Sequence, residues 1–342
     1  MKALVYEKPQ TFIVKEIPAP VCGDKQVIIK VKTCGICKTD VHIHNGHFIS
    51  RFPLTPGHEF AGTIESTGKD VTAFKQGDRV VADNTVLCGE CYYCRRNQPL
   101  YCENFYSLGV NGPGGFADYV VVNQDKVFPI PGNLSFDEAS FTEPTACAVH
   151  GMDMIDLNFG DDVLMFGSGP TGIILAQLLK AGGAANVVVA APSQFKLDLL
   201  NEMGITQTVQ IDRNNYNIHE KEIKKLYPKG FHVIIDATGY APMVEHCMKY
   251  VKHGSKIVVY GVCNEEDNIK INPYEIFEKE IKIIGSFAQT HCYDRALKYL
   301  ESGRVQVKKL ITHTFPLPEY AKGLDKVMEG GKQIKVLIHP NN

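Results

Sequence analysis

From residue 1 to about 145, apolar residues come in short runs separated by Gly and Pro. Examples are VIIKV at 27–31, GTIEST at 62–67, DRVVA at 78–82 and FADYVVV at 116–122. Runs this close together, with no long helical pattern between them, predict a folded-over β domain. Near residue 160 the texture changes. DVLMF is a continuous apolar run ending in glycine, and ILAQLLKAGG follows with helical spacing and a glycine stop. NVVVAA and QFKLDLLNEMG repeat the alternation, then HVIIDATG, a helical stretch and KIVVYGV. Continuous apolar strands alternating with amphipathic helices predict a parallel sheet covered on both faces. Towards the end, CYDRALKYLESG predicts a helix and KVLIHP a last strand. No internal repeat or low-complexity segment interrupts this order.

The chain has 342 residues, enough for about two domains at ~150 residues each. Hydrophobic residues make up 44% and charged residues 22%, the balance of a folded globular chain. A formal net charge of −2 gives no electrostatic reason to expect nucleic acid or an anionic membrane as partner. No apolar run approaches the ~20 residues that span a bilayer. The first residues, MKALVYEKPQ, lack the apolar core and cleavage site of a secretory signal and predict a strand. The expected location is cytoplasmic. The eleven cysteines are then expected as thiols, metal ligands or nucleophiles.

Gly167-Ser168-Gly169-Pro170-Thr171-Gly172 is G-x-G-x-x-G between a predicted strand and a predicted helix. That context turns a weak signature into a dinucleotide site. Gly167 permits the tight turn, Gly169 lets backbone approach the pyrophosphate, and Gly172 lets helix pack on sheet. The helix N-terminus offers free N–H groups and partial positive charge to the phosphates. An NAD site usually carries an acid about 20 residues on, holding the ribose 2′-hydroxyl. Here that position is Ala191. Without a carboxylate to repel a 2′-phosphate, and with Ser193 and Lys196 just beyond, NADP(H) is favoured while NAD(H) stays open.

Cys88, Cys91, Cys94 and Cys102 form C-x2-C-x2-C-x7-C, with polar residues between them. Four thiolates close a tetrahedral shell around Zn²⁺ and leave no place for substrate, so this is a structural site. An iron–sulfur cluster is the chemical competitor. Other metal-ligand types are dispersed: Cys37 in CGICKTDVH, His58 and Glu59 in PGHEF, Glu143 in FTEP. Cys34 and Cys37 also spell a redox C-x-x-C, but they end a strand of a β domain.

Taken in order, C-x-T-D-x-H at 37–42, GHE at 57–59, the four-cysteine lobe, EP at 143–144 and GSGPTG at 167–172 resemble the zinc-containing medium-chain dehydrogenases. The resemblance covers nearly the whole chain and is greatest to the polyol branch of sorbitol, xylitol and D-arabinitol dehydrogenases. FPLTPGHEF, GDRVVADNT and GGFADYVVV sound most like the NADP-dependent D-arabinitol enzymes. It implies a GroES-like β-rich catalytic domain at 1–146 carrying the zinc lobe at 88–102. A Rossmann domain with a doubly wound parallel sheet follows at 147–286, and 287–342 returns to the catalytic domain. By the same pattern a catalytic zinc is held by Cys37, His58 and Glu143, with Glu59 on its water or as alternate ligand. That makes two zinc ions per subunit. The proton of the alcohol would leave through Thr39, a ribose hydroxyl and His42. Pro170, Thr171, Gly261, Val262, Phe287 and Ala288 join the cofactor-binding set, and Phe105 and Gln289 are the substrate residues.

The activity so implied is reversible oxidation of a secondary alcohol of a polyol to the ketose, by a homotetramer. Animal sorbitol dehydrogenases carry a Tyr after the relay histidine and an Arg-Tyr pair in the late loop. Here those places read Ile43 and Ala288-Gln289, so the hydroxyl-binding groups differ. One rival is an L-threonine or simple secondary-alcohol dehydrogenase, since threonine dehydrogenases share the lobe. The other is a non-enzymatic NADPH-binding protein, against which Cys37, Thr39, His42, His58 and Glu143 stand together.

Overall fold

The structure, a computed structural model, describes residues 1–212 and 215–341. It forms two compact units, one of residues 1–146, 289–303 and 307–342, the other of 147–288 and 304–306. No helix among the described residues is long and apolar enough to cross a membrane.

The first unit is built on the strand Gln26–Ile36. Val27, Ile29 and Val31 are fully buried while Lys30 and Lys32 are not, the period-2 pattern of a sheet with one face on a core. This strand pairs antiparallel with Glu59–Thr67 on one side and Lys335–His339 on the other. Beyond these lie Arg79–Ala82 and Val127–Pro129 at one edge and Ile311–Pro316 at the other. The register sets Gly35 opposite Glu59 and Ile36 opposite Val336. Segments from the first 70 residues and from the end of the chain thus meet at one end of three central strands. The run FADYVVV enters the sheet only at Tyr119–Asn123. Its first residues are engaged elsewhere: Phe116 N–H donates to Pro56 O, and Phe116 O accepts from Leu4 N–H.

The second unit is a six-stranded parallel sheet, confirming the doubly wound expectation. Its order runs Gln207–Gln210, Asn186–Ala191, Asp162–Phe166, Phe231–Asp236, Val251–Val259, Lys282–Gly285. Strand order reverses between Asp162–Phe166 and Phe231–Asp236, the place where such sheets open a crevice at their carboxyl ends. Val163–Phe166 and Val233–Asp236 are buried throughout, as strands covered on both faces must be. The two edge strands, QTVQ and KIIG, are short and partly polar or exposed.

Candidate active site

Cys37 follows the strand Gln26–Ile36 and precedes the helix Lys38–His44. Asp40, three residues on, accepts a hydrogen bond from Cys37 N–H at 2.7 Å and so closes the first turn of that helix. Its other oxygen stands 4.0 Å from His58 Nδ1. The potential ligand atoms of Cys37, His58 and Glu59 lie within 4.8 Å of one another, His58 and Glu59 buried. Glu143 is in the first turn of the helix Thr142–Ile155. It lies outside that 4.8 Å group, yet its charge acts on both His58 and Lys335.

The electrostatics show what belongs here. Burial alone would lower His58. Its bond to Cys37 and the charges of Asp40, Cys37 and Glu143 outweigh burial and hold it well above the usual histidine value. Burial raises Asp40 to about 6, against the opposing pull of His58 and the Cys37 N–H. A thiol and several carboxylates thus converge on one buried imidazole. A divalent cation bound there would compensate the anionic groups and leave the imidazole neutral, as a ligand must be. One sulfur, one imidazole and carboxylate oxygen are a donor set that suits zinc.

Among the described residues, Lys335 supplies the one buried ammonium. It is 3% exposed, and its Nζ lies 2.8 and 2.6 Å from the two oxygens of Glu59. A third, longer bond of 3.5 Å reaches Ile36 O. Both Glu59 oxygens are therefore engaged.

Thr39 and His42 are three residues apart, on one face of the short helix. Thr39 Oγ1 is 3.6 Å from Cys37 Sγ, and His42 Nε2 has no hydrogen-bond partner among the described residues. Burial, then Lys38 and His47, lower the His42 pKa below 6.5, so the ring is neutral at pH 7 and can accept a proton.

The four lobe cysteines also come within 4.8 Å of one another. Cys91 N–H points at Cys88 Sγ and Cys88 N–H at Cys102 Sγ, both at 3.4 Å. N–H donors from Glu90 and Cys91 lower Cys88 to about 6, while desolvation and the neighbouring Cys91 push Cys94 to about 12. Four thiolates cannot coexist at this distance without a cation, and the N–H···S bonds are prepared for one.

In the second unit the glycine turn follows Asp162–Phe166. Gly167 has φ 113°, and a Cβ there would stand 2.8 Å from Ala237 O, so only glycine fits. A Cβ on Gly172 would lie 2.9 Å from Gly167 O. Gly169 faces open space and caps the twelve-residue helix Pro170–Ala181, with Pro170 and Thr171 opening its first turn. Its free N–H groups look into that space, the cradle a pyrophosphate takes. Ala191 is fully buried at the end of its strand. Ser193 caps the helix Gln194–Glu202 with no side-chain capping bond, and Lys196 lies in the first turn. Gly261 packs against Gly239, the next residue Val262 is exposed, and further along the chain Phe287 is exposed and Ala288 has φ 44°.

Several contributors escaped the sequence reading. Asp40 had a signal, the capping-box spacing from Cys37. Lys335 had none, since it is 276 residues from its partner. Asp236 is fully buried and accepts bonds from Thr238 and Gly239 N–H, shaping the second turn of the crevice. Gln289 is 1% exposed and donates to Asp83 at 2.7 Å, a carboxylate also bound by Thr85 and Lys126. The amide is therefore anchored, and only its Oε1 lacks a protein partner among the described residues. Phe105 is half-buried, its N–H on Cys102 O.

Comparison with known proteins agrees with this chemistry. Residues 23–132 match the alcohol dehydrogenase GroES-like domain and 170–302 the zinc-binding dehydrogenase domain. D-arabinitol dehydrogenase 1 of Uromyces fabae is 42% identical, across 100% of this chain and 97% of that protein. L-threonine 3-dehydrogenase of Yersinia pestis (strain Pestoides F) is 33% identical over 99% of each. A solved protein described as a zinc-binding dehydrogenase, from Sinorhizobium meliloti 1021 and bound to NADP, superposes with TM-score 0.92, at 30% identity and 99% coverage of both chains. An alcohol dehydrogenase from E. coli CFT073 complexed with NADH gives TM-score 0.91 at 29% identity, again over 99% of both. The chain belongs to the zinc-dependent medium-chain dehydrogenases, as a polyol dehydrogenase-like oxidoreductase with a GroES-like domain and a Rossmann domain.

Proposed function

We propose that the chain oxidises a secondary alcohol of a polyol of the D-arabinitol, xylitol or sorbitol type to the ketose, reversibly, with NADP(H) favoured. The observation that carries the reading is the buried Cys37–His58–Glu59 group beside Thr39 and His42. Cys37, His58 and Glu143 would hold a catalytic zinc, because the oxygens of Glu59 are already bonded to Lys335. Cys88, Cys91, Cys94 and Cys102 would hold the second. When bound, zinc would supply Lewis acidity towards the alcohol oxygen and the nicotinamide a hydride acceptor. Asp40 fixes the Cys37 backbone and faces His58. Thr39 takes the hydroxyl proton towards neutral His42, which passes it to water. Gln289, its amide fixed by Asp83, keeps Oε1 as an acceptor suited to a further substrate hydroxyl.

The NADP(H) preference rests on Ala191, on the Ser193 hydroxyl with no capping bond and on the N-terminus of Gln194–Glu202. A charge-assisted bond to the 2′-phosphate contributes about 1.5–3 kcal/mol, roughly ten- to hundredfold in affinity. Steady-state assay of polyols, simple secondary alcohols and L-threonine with both cofactors tests substrate and cofactor together. We expect polyols to lead and kcat/KM for NADP⁺ over NAD⁺ to exceed one. In Ala191→Asp, with folding checked by thermal melting, that ratio should fall about tenfold or more. L-threonine as leading substrate, or a wild-type ratio below one, would overturn the corresponding part.

The edge strand Lys282–Gly285 is paired on one side only, and Ile283 and Phe277 are 41% and 80% exposed. An open edge flanked by apolar side chains suits pairing between copies. This supports a homo-oligomer, and we propose a tetramer. Light scattering at micromolar concentration should give four times the chain mass, and a monomer mass would refute the assembly.

A further inference from the structure

We infer that Asp83 is a positioning residue that sets substrate choice: it fixes the Gln289 amide so that a carbonyl oxygen alone is left to meet substrate, a place for a hydroxyl donor. The inference rests on the reading of Gln289 as a substrate residue, and adds what selects the group taken there.

Asp83 directly follows the strand Arg79–Ala82 and is 3% exposed. Its Oδ1 accepts from Thr85 N–H at 2.9 Å, from the Thr85 hydroxyl at 2.7 Å and from Gln289 Nε2 at 2.7 Å. Its Oδ2 pairs with the Lys126 ammonium at 3.1 Å. A carboxylate so paired offers lone pairs and no proton, so Gln289 must turn its Nε2 towards it. Against a hydroxyl or a second amide, Gln289 could present either end. The tether thus leaves Oε1 as the outer atom, buried and without a hydrogen-bond partner among the described residues. Asn84, the next residue, repeats the pattern. Its Nδ2 donates to Ser107 Oγ at 3.1 Å, and its Oδ1 has no partner among the described residues.

These residues belong to the same unit as the metal-ligand group. Asn84 O accepts from Leu108 N–H at 2.9 Å. The residue after Leu108, Gly109, lies so close to Gly57 O and His58 N that a Cβ there would collide with both. A buried acceptor without a partner is costly, and folded proteins keep few. Two such oxygens on the segment that backs onto His58 suit a donor supplied from outside the protein. A polyol carries hydroxyls on the carbons beside the one oxidised and brings that donor. A simple secondary alcohol brings only hydrogens on carbon, and a carboxylate brings lone pairs to a lone pair. A site built to bond a hydroxyl rejects the analogue that lacks it, because its own buried group is then left unpaired.

The test reads one ratio: kcat/KM for whichever of D-arabinitol, xylitol and sorbitol reacts best, over kcat/KM for 2-butanol. In D83S the shorter side chain still accepts from Thr85 N–H and keeps the turn, but does not reach Gln289. We expect its ratio to fall about tenfold, with the loss on the polyol KM more than on kcat. D83N, whose amide oxygen still accepts from Thr85 and Gln289, should keep more of the ratio than D83S. D83S/Q289E should regain it, because a carboxylate presents an acceptor whichever way it turns, and Lys126 balances its charge. A merely structural aspartate would not be rescued from position 289. Thermal melting checks folding; if D83S does not fold, D83T, which makes the same turn, is read in its place. An unchanged ratio in folded D83S or D83T, or no recovery in D83S/Q289E, would overturn the proposal. Q289L separates this from the reading beneath it. A wild-type ratio in Q289L would remove Gln289 from the substrate residues, and the inference with it. A Q289L that loses the ratio beside a D83S that keeps it would remove Asp83 alone.

Discussion

Glu143→Ala should lose one of two zinc equivalents and about a thousandfold in kcat, while its melting temperature stays near that of wild type. The residue is half-buried in the first turn of Thr142–Ile155, and its charge acts on the site residues His58 and Lys335. Its carboxylate does favour the positive end of the helix, an interaction of about 0.3–1 kcal/mol. The neighbouring Thr142 hydroxyl still bonds Ala139 O at 2.7 Å and keeps the turn in place. Removal of a ligand, by contrast, strikes at the Lewis acid. A loss of about 4 kcal/mol of transition-state stabilisation is about a thousandfold in rate. Glu59 cannot simply substitute, because Lys335 holds both its oxygens. Metal analysis beside steady-state kinetics checks the expectation. Two retained equivalents with less than about a tenfold loss would remove Glu143 from the ligand set.

How much of this could be read from the sequence follows from the reach of each interaction. The glycine turn was legible because its three glycines answer local demands, a positive φ, an open cradle and a close helix approach, within six residues. The lobe was legible because its four sulfurs are separated by short spacers. The parallel sheet was legible in continuous runs such as DVLMF and NVVVAA. Lys335 was not, because it reaches Glu59 only through the pairing of Lys335–His339 with Gln26–Ile36. Gln289 was singled out, but its anchor Asp83 lies 206 residues away, and that tether decides which end of the amide is free. Glu59 was noted as a water holder or alternate ligand; the long-range lysine is what separates it from Glu143.

Cys94→Ser should leave chemistry largely intact and break the lobe. Residues 88–102 contain only two short 3₁₀ turns, Cys94–Arg96 and Pro99–Tyr101, and their apolar burial is slight: Leu100 and Cys102 are buried, while Tyr92 and Tyr101 are each 55% exposed. Edge-to-face contacts among Tyr92, Tyr93 and Tyr101 add on the order of 1 kcal/mol each. That is far below what ordering fifteen residues costs at ~1–2 kcal/mol each. Metal binding, about 10–16 kcal/mol in apparent terms for structural zinc, must supply the difference. Damage should stay local, because Thr85–Val86 pairs with Tyr106–Ser107 across the base of the lobe, and Asn84 bonds Ser107 there at 3.1 Å. The expected result is one zinc equivalent lost, rapid chymotryptic cleavage at the lobe tyrosines, and a melting temperature lower by about 10 °C for a loss of a few kcal/mol. Freshly prepared mutant should keep kcat within about tenfold of wild type, since no lobe cysteine belongs to the Cys37 group. A mutant that keeps two equivalents and resists the protease would mean that the four sulfurs do not hold a metal.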